Sequence, residues 1–351
     1  MPKNSRVLAK NYKAELKKIT AVLLKPKDDY IELTKAIDDL YQLFSQASGL
    51  DADESNNREA VYLPSGKAIG PAWAAMCVKE ILRTKRFVRG AYLGIKAALE
   101  RFPCRPVHVL YAGTGPFATL AMPLTTVFSS SEVSFTMLEI NPQSIESAGR
   151  VIKAFHAENY VREIIKCDAA EYDAGAIRPI HAIISETMQN ALQKEPQVGI
   201  TLNLLPHMEP EGIMIPQSIR IDAALVNYRK YNERMLSPEI PEENYYHIIG
   251  TIFELDRDIA ASRNMDDTDA DGNYTFKARE IIAPEDIQKE YRHLCLFTTI
   301  RVFGEEVLTN WQCSLTIPKT IMSFQDETIG VHKLRFRYVL SNTPGFECTV
   351  L

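Results

Sequence analysis

The sequence predicts an α/β domain built on a parallel sheet, with helices before it and an antiparallel, barrel-like β domain after it. Three observations predict this. Apolar residues recur at helical spacing through most of the first hundred positions. Four short apolar runs then alternate with helix-compatible stretches between 107 and 185. After Pro216 the segments alternate or carry β-branched and aromatic residues. The expected divisions are 1–68, 69–217 and 218–351.

Val7, Leu8, Tyr12, Leu16, Ile19, Val22 and Leu23 fit one helix, which Pro26 interrupts. Ile31, Leu33, Ile37, Leu40 and Phe44 fit a second. The polar stretch 48–59 reads as a loop, and 71–99 is helix-like again. VHVLYA (107–112), VSFTMLEI (133–140), EIIKC (163–167) and HAIIS (181–185) read as strands, with 142–156 a helix between two of them. In the last third, 218–226, 245–255, 292–303, 310–317 and 333–340 read as strands of a sheet or barrel.

With 40 basic and 45 acidic residues the net charge is −5, so phosphate-dominated binding of nucleic acid is not expected. The start, MPKNSRVLAKNYKAELKK, has no apolar core of a signal peptide, and no apolar run is long enough to span a membrane. Six cysteines without a CxxC pair suit a reducing compartment, so a cytoplasmic setting is expected. The seven histidines show no ligand spacing, so no metal is assigned.

Chemistry collects at the strand ends. Gly113-Thr114-Gly115-Pro116 follows the first strand, where glycines let the backbone approach a ligand. Ala118 keeps the looser dinucleotide fingerprint open, so the turn alone also allows a nicotinamide cofactor. Glu139, 26 residues after Gly113, can accept from both ribose hydroxyls of an adenosine or stand as a solvated strand end. Asp168 can accept from an adenine amino group or cap the next turn.

Taken in order, these positions resemble the S-adenosylmethionine site of Rossmann-like class I methyltransferases. SETMQNALQKE (185–195), with Glu186 and Glu195 nine residues apart, resembles the double-glutamate loop of the protein arginine N-methyltransferases. Arg83-Thr84, MEPEGIMIP (208–216) and NWQ (310–312) resemble further family stretches in the same order. The resemblance spans about 69–340 and decides against the nicotinamide reading. It implies S-adenosylmethionine as cofactor, with Arg83 on its carboxylate beside Gly113, Gly115, Glu139 and Asp168. It implies Glu186 and Glu195 as the catalytic clamp, and Asn310 and Trp311 over the acceptor.

A carboxylate pair suits a guanidinium, which stays protonated and presents a planar fork. Helix-start acids favoured by the macrodipole are the alternative reading of the pair. Tyr111, Thr187, Asn190 and Asn310 depart from the family's usual residues and leave the acceptor open: a protein arginine, a small guanidine, or another amine. Two rivals remain. One is methyl transfer to oxygen or another nucleophile of a metabolite on the same scaffold, and the other is a non-catalytic binding protein that keeps the fold.

Asp267-Thr268-Asp269-Ala270-Asp271-Gly272 matches the opening of a calcium loop, but Ala278 stands where a glutamate is needed, so a hairpin turn is expected. Residues 231–290 hold fifteen acidic and six basic residues, which reads as a solvated face that could also attract cationic substrates; it lies about where the family resemblance puts a dimerisation arm, so a homodimer is compatible. Cys348-Thr349-Val350-Leu351 loosely matches a prenylation signal, but the strand-like residues before it favour an ordinary folded terminus.

Overall fold

The computed structural model describes residues 11–103, 106–237, 239, 242–262, 267–269 and 272–351. Val7 and Leu8 of the first expected helix, Cys104, and Ala270 and Asp271 of the acidic loop lie outside these residues.

Helices α1 (Tyr12–Leu23) and α2 (Tyr30–Ser48) form an antiparallel pair. Asn11 and Asp29 cap them by accepting from Ala14 N and from Ile31 N and Glu32 N, and Gly49 ends α2 in the left-handed region that glycine tolerates. Leu16, Leu23, Leu40 and Phe44 are fully buried between the pair and the rest of the chain. Phe44 meets Phe117 and Phe155 at ring distances of 5.5 and 5.7 Å, which docks α2 on the turn after the first long strand and on the C-terminal end of the helix Pro142–Ala154. The connection between α1 and α2 is fixed by charge. The buried Lys85 ammonium donates to the Lys25 and Lys27 carbonyls and pairs with Asp28 at 2.8 Å. Such a cation is tolerable in the interior only because each of its donors finds an oxygen.

A hairpin of β1 (Val61–Leu63) and β2 (Gly66–Ala68), not anticipated from the sequence, leads into α3 (Pro71–Met76) and α4 (Ile81–Arg101). The helix-like stretch 71–99 is therefore broken. A 3-10 turn at Cys77–Lys79 and the extended Glu80 separate its two parts.

The parallel sheet follows: β3 (Val107–Ala112), β4 (Val133–Glu139), α5 (Pro142–Ala154), β5 (Val161–Lys166), β6 (Ala182–Ser185), α6 (Gln197–Leu204) and β7 (Ile213–Ile215). The order is β5-β4-β3-β6-β7, parallel at every pairing. Every residue of β3, β4 and β6 is buried, as strands covered on both faces must be, whereas the edge strand β5 carries charges and is largely open. The order reverses around β3, so the crevice at its carboxyl end is where such sheets take ligands.

The remainder comprises β8 (Ser218–Val226), α7 (Tyr228–Leu236), β9 (Tyr246–Asp256), α8 (Arg257–Ser262), β10 (Asp267–Thr268), β11 (Tyr274–Thr275), β12 (Arg279–Ala283), α9 (Glu285–Gln288), β13 (His293–Phe303), β14 (Glu306–Leu308), β15 (Lys319–Ser323), β16 (His332–Leu340) and β17 (Gly345–Val350). They form two antiparallel sheets, β14-β13-β8-β9 with β15 on β13, and β10-β11-β16-β12 with β17 on β16. Phe253, Phe276, Tyr338 and Phe346 join the sheets through ring contacts of 5.0–5.8 Å. The antiparallel domain is thus as expected, and among the described residues its strands do not close into one continuous barrel ladder.

The stretch 310–317, expected as a strand, is instead a turn with a 3-10 segment at Ser314–Thr316. Trp311 is held at φ +64, which no strand allows. The acidic segment forms a hairpin, with Asp267 opposite Thr275 and Gly272 N donating to Asp269 O. Helix α8 ends shortly before it. Cys348 sits in the β16–β17 ladder opposite Phe336. The five described cysteines are free thiols. No helix among the described residues is long and apolar enough to cross a membrane.

Candidate active site

At the carboxyl end of β3 the chain turns through Gly113 (φ +72) and Gly115 (φ +64). A Cβ on Gly113 would lie 2.2 Å from Thr187 Cγ2, so this glycine is required by the segment that follows β6. Gly115 N donates to Glu139 Oε2 at 2.7 Å, and Ile140 N and Asn141 N donate to Oε1 at 2.9 Å each. Glu139 is therefore a buried strand-end carboxylate held by three backbone donors, not a solvated one. Burial pushes its pKa up, against the pull of those donors.

Asp168 follows β5. Its Oδ1 accepts from Ala170 N at 2.9 Å, which is the turn-capping role, while Oδ2 is buried with no partner among the described residues. An orphaned carboxylate oxygen lining a cleft marks a place for a donor from outside the chain.

Arg83, Gly113, Gly115, Glu139, Asp168, Glu186 and Glu195 all line this one cleft. Arg83 projects from the first turn of α4. It bonds Glu186 at 2.7 Å and Glu80 at 2.8 Å. Burial alone would lower the guanidinium pKa, but Glu186, Cys77 and Glu80 outweigh it and raise the value further, so the cation is locked on. Burial also pushes Glu186 up, opposed by Arg83.

Glu195 is 7% exposed and, among the described residues, has the Gln189 amide as its one side-chain hydrogen-bond partner. Desolvation drives its pKa up to about 7, Glu186 adds to the rise, and Arg83 and Lys67 work against it.

The segment carrying these two glutamates is strained and pinned. Ala191, Leu192 and Lys194 all have positive φ, which costs on the order of 1–2 kcal/mol for each side-chain-bearing residue. The antiparallel domain holds them there. Ala191 N donates to Thr298 Oγ1, Asn190 Nδ2 to the Ile317 carbonyl, Tyr338 OH to the Leu192 carbonyl and Lys194 N to the Pro344 carbonyl, at 2.8–3.0 Å. At its base, buried Gln197 accepts through Oε1 from Thr187 N and Thr187 Oγ1, both at 3.0 Å.

Asn310 and Trp311 do not line the cleft. The Trp311 indole stacks on Tyr231 at 4.6 Å and donates to Tyr245 OH at 2.9 Å. Their turn reaches the site through Ser314 instead, whose N and Oγ donate to Glu80, the partner of Arg83. Sequence reasoning missed Glu80, Lys67, Cys77 and Gln197. Only Glu80 left a signal, an acid three positions before Arg83 at the start of the same helix. Among the described residues no group of three His, Cys, Asp or Glu side chains could hold a metal.

No protein-family model matches the chain, and no curated protein matches it. Among solved structures it is similar to the Trypanosoma brucei PRMT1 enzyme–prozyme heterotetrameric complex with AdoHcy. There the TM-score is 0.47 at 14% identity, over 79% of this chain and 92% of that one. It is also similar to PRMT6 with SAH, with a TM-score of 0.46 at 10% identity, over 75% of this chain and 96% of that one.

Proposed function

We propose that the protein is a methyltransferase that uses S-adenosylmethionine and methylates a guanidino or amine nitrogen. The observation that carries this reading is the meeting of two sets of groups in one cleft. The first set, Gly113, Gly115, Glu139 and Asp168, suits an adenosine. Glu139 keeps acceptor capacity beyond its three backbone bonds for ribose hydroxyls, and Asp168 Oδ2 suits an adenine amino group. The second set, Glu186 and Glu195, suits a cation with several N–H donors.

When bound, the cofactor supplies an electrophilic methyl on a sulfonium. Arg83 would pair with its carboxylate. Glu186 and Glu195 would fix a guanidinium and draw positive charge toward the nitrogens they bind, which leaves the reacting nitrogen a better nucleophile; the proton that nitrogen sheds on methylation, or that an ammonium must shed before it, would pass to a carboxylate of the pair or to solvent. Positioning and electrostatics supply the acceleration. Glu186 already has Arg83 on it, whereas the buried carboxylate of Glu195 is costly until a cation joins it, so the cleft selects for one.

A homodimer is part of the proposal. Met235 and Leu236 stand 59% and 86% exposed at the end of α7, within the acidic segment where the family resemblance puts an arm. Sedimentation velocity tests it.

The main test offers labelled S-adenosylmethionine with arginine-rich peptides, free arginine and small guanidines in parallel. Label on a guanidine or amine is expected. Label only on a hydroxyl or carboxylate would sink the nitrogen-acceptor reading.

A further inference from the structure

The hairpin β1–β2 has no role in the reading above, yet it lies directly on the acceptor end of the cleft. A Cβ on Gly66 (φ +137) would lie 2.8 Å from Lys194 O and 3.1 Å from Glu195 C and Pro196 N. Lys67 N donates to Lys194 O at 2.8 Å, so the hairpin is fixed to the backbone that carries Glu195. Side chains alternate along a strand. Gly66 gives its buried side to this contact, and Lys67, next in line, lines the cleft. Leu63, Ala68 and Ile69 line it too.

Lys67 is unlike the other cation of the cleft. Arg83 is matched by Glu186 and Glu80. The Lys67 ammonium makes no hydrogen bond or ion pair among the described residues, though it is near enough to Glu195 to pull its pKa down. A cation bound on Glu195 would therefore sit beside an ammonium that repels it. An acceptor that also carried a carboxylate would turn that repulsion into a second ion pair. An arginine inside a peptide has no such group, because its own carboxyl is in an amide bond.

We infer that Lys67 is a carboxylate-binding residue of the acceptor pocket, and that the acceptor is a small guanidino or amino acid with a free carboxylate. This rests on the proposed function and narrows it. The glutamates would hold the cationic end and Lys67 the anionic end, so the molecule is measured by length as well as charge. The cofactor's carboxylate is assigned to Arg83, which leaves Lys67 for the acceptor.

The experiment compares KM and kcat for free L-arginine, argininamide, arginine-containing peptides, methylguanidine, guanidinoacetate and 4-guanidinobutyrate. It uses the wild-type chain, Lys67→Gln and Lys67→Glu, and S-adenosylhomocysteine affinity is measured for each. In the wild type, the best carboxylated acceptor should have a KM about tenfold or more below that of its uncharged counterpart. Lys67→Gln should erase the gap by raising KM for the acids, with kcat within about twofold and S-adenosylhomocysteine affinity unchanged. Lys67→Glu should reverse the preference.

Equal use of acid and amide, or better use of a peptide, would overturn the inference and leave the methyltransferase reading standing. So would an equal effect of Lys67→Gln on both kinds of acceptor, which would mean that Lys67 only neutralises Glu195. Loss of S-adenosylhomocysteine affinity in Lys67→Gln would assign the lysine to the cofactor and also overturn it. Failure of every guanidine and amine to take label would remove the parent reading and this one together.

Discussion

Arg83 donates through Nη2 to Glu186 Oε1 at 2.7 Å, so a guanidinium of the chain itself occupies the carboxylate that an acceptor cation would use. If Arg83 is drawn onto the cofactor's carboxylate, Glu186 is released. Cofactor and acceptor should then bind with positive coupling, cofactor first. Calorimetry should give an acceptor affinity about tenfold or more higher with S-adenosylhomocysteine present, the order of one charge-assisted hydrogen bond. Arg83→Met should abolish this dependence and weaken S-adenosylhomocysteine. Equal acceptor affinity with and without the cofactor product would refute the exchange.

Glu139 accepts three backbone N–H bonds at 2.7–2.9 Å, so Glu139→Ala should do two things at once. S-adenosylhomocysteine should bind more weakly by about 1–3 kcal/mol. The melting temperature should also fall, because the buried donor at Asn141 and the half-buried one at Gly115 lose their acceptor. Glu139→Gln keeps an oxygen for some of them and should lose less stability. Unchanged cofactor affinity in a folded Glu139→Ala protein would remove the ribose assignment.

Glu195 carries a pH prediction. Its pKa, pushed up to about 7 by desolvation, leaves it largely protonated below that value, and only the carboxylate can hold a cation. Acceptor kcat/KM should fall as pH drops through about 7. Glu195→Gln should lose about a hundredfold or more in turnover and show no such inflection.

The same burial has a cost in stability. The carboxyl binds its proton more tightly folded, near 7, than at its ordinary 4.5. It therefore destabilises the fold progressively as pH rises from 4.5 to 7, by on the order of 3 kcal/mol in full. Glu195→Gln should raise the melting temperature at pH 8 and leave it nearly unchanged at pH 4. An equal effect at both would show that the residue is not the titrating group.

Gln197 is 2% exposed, and its amide oxygen takes both the N–H and the hydroxyl of Thr187, the residue next to Glu186. Gln197→Ala should cost about 1–3 kcal/mol of stability and lower kcat more than it changes S-adenosylhomocysteine affinity. Gln197→Glu keeps the acceptor oxygens and should restore part of kcat. A fall in stability alone, with kcat intact, would leave Gln197 a structural residue only.

The parallel sheet was legible because apolar β-branched runs between glycine and acidic strand ends have few other uses. Gly113, Gly115, Glu139, Asp168, Glu186 and Glu195 could be named from the chain and do share one cleft. The hairpin 61–68 was not legible, since VYLPSGKA has no long alternation and its pairing depends on distant backbone at Lys194. The 310–317 turn was misread because Leu315, Ile317 and Trp311 look strand-like, while tertiary contacts to Tyr231 and Tyr245 hold the backbone elsewhere. Arg83 was named for a ligand, but its link to Glu186 joins residues 103 positions apart, which no local pattern encodes.

The strained segment between the two glutamates hangs on Thr298, Ile317, Tyr338 and Pro344, none of which reaches the cleft. Drift in the antiparallel sheets could therefore retune the acceptor of the proposed reaction while the end of the cleft proposed for the adenosine stays untouched. A descendant of this chain could shift the two glutamates by altering the residues that pin the segment rather than the segment itself.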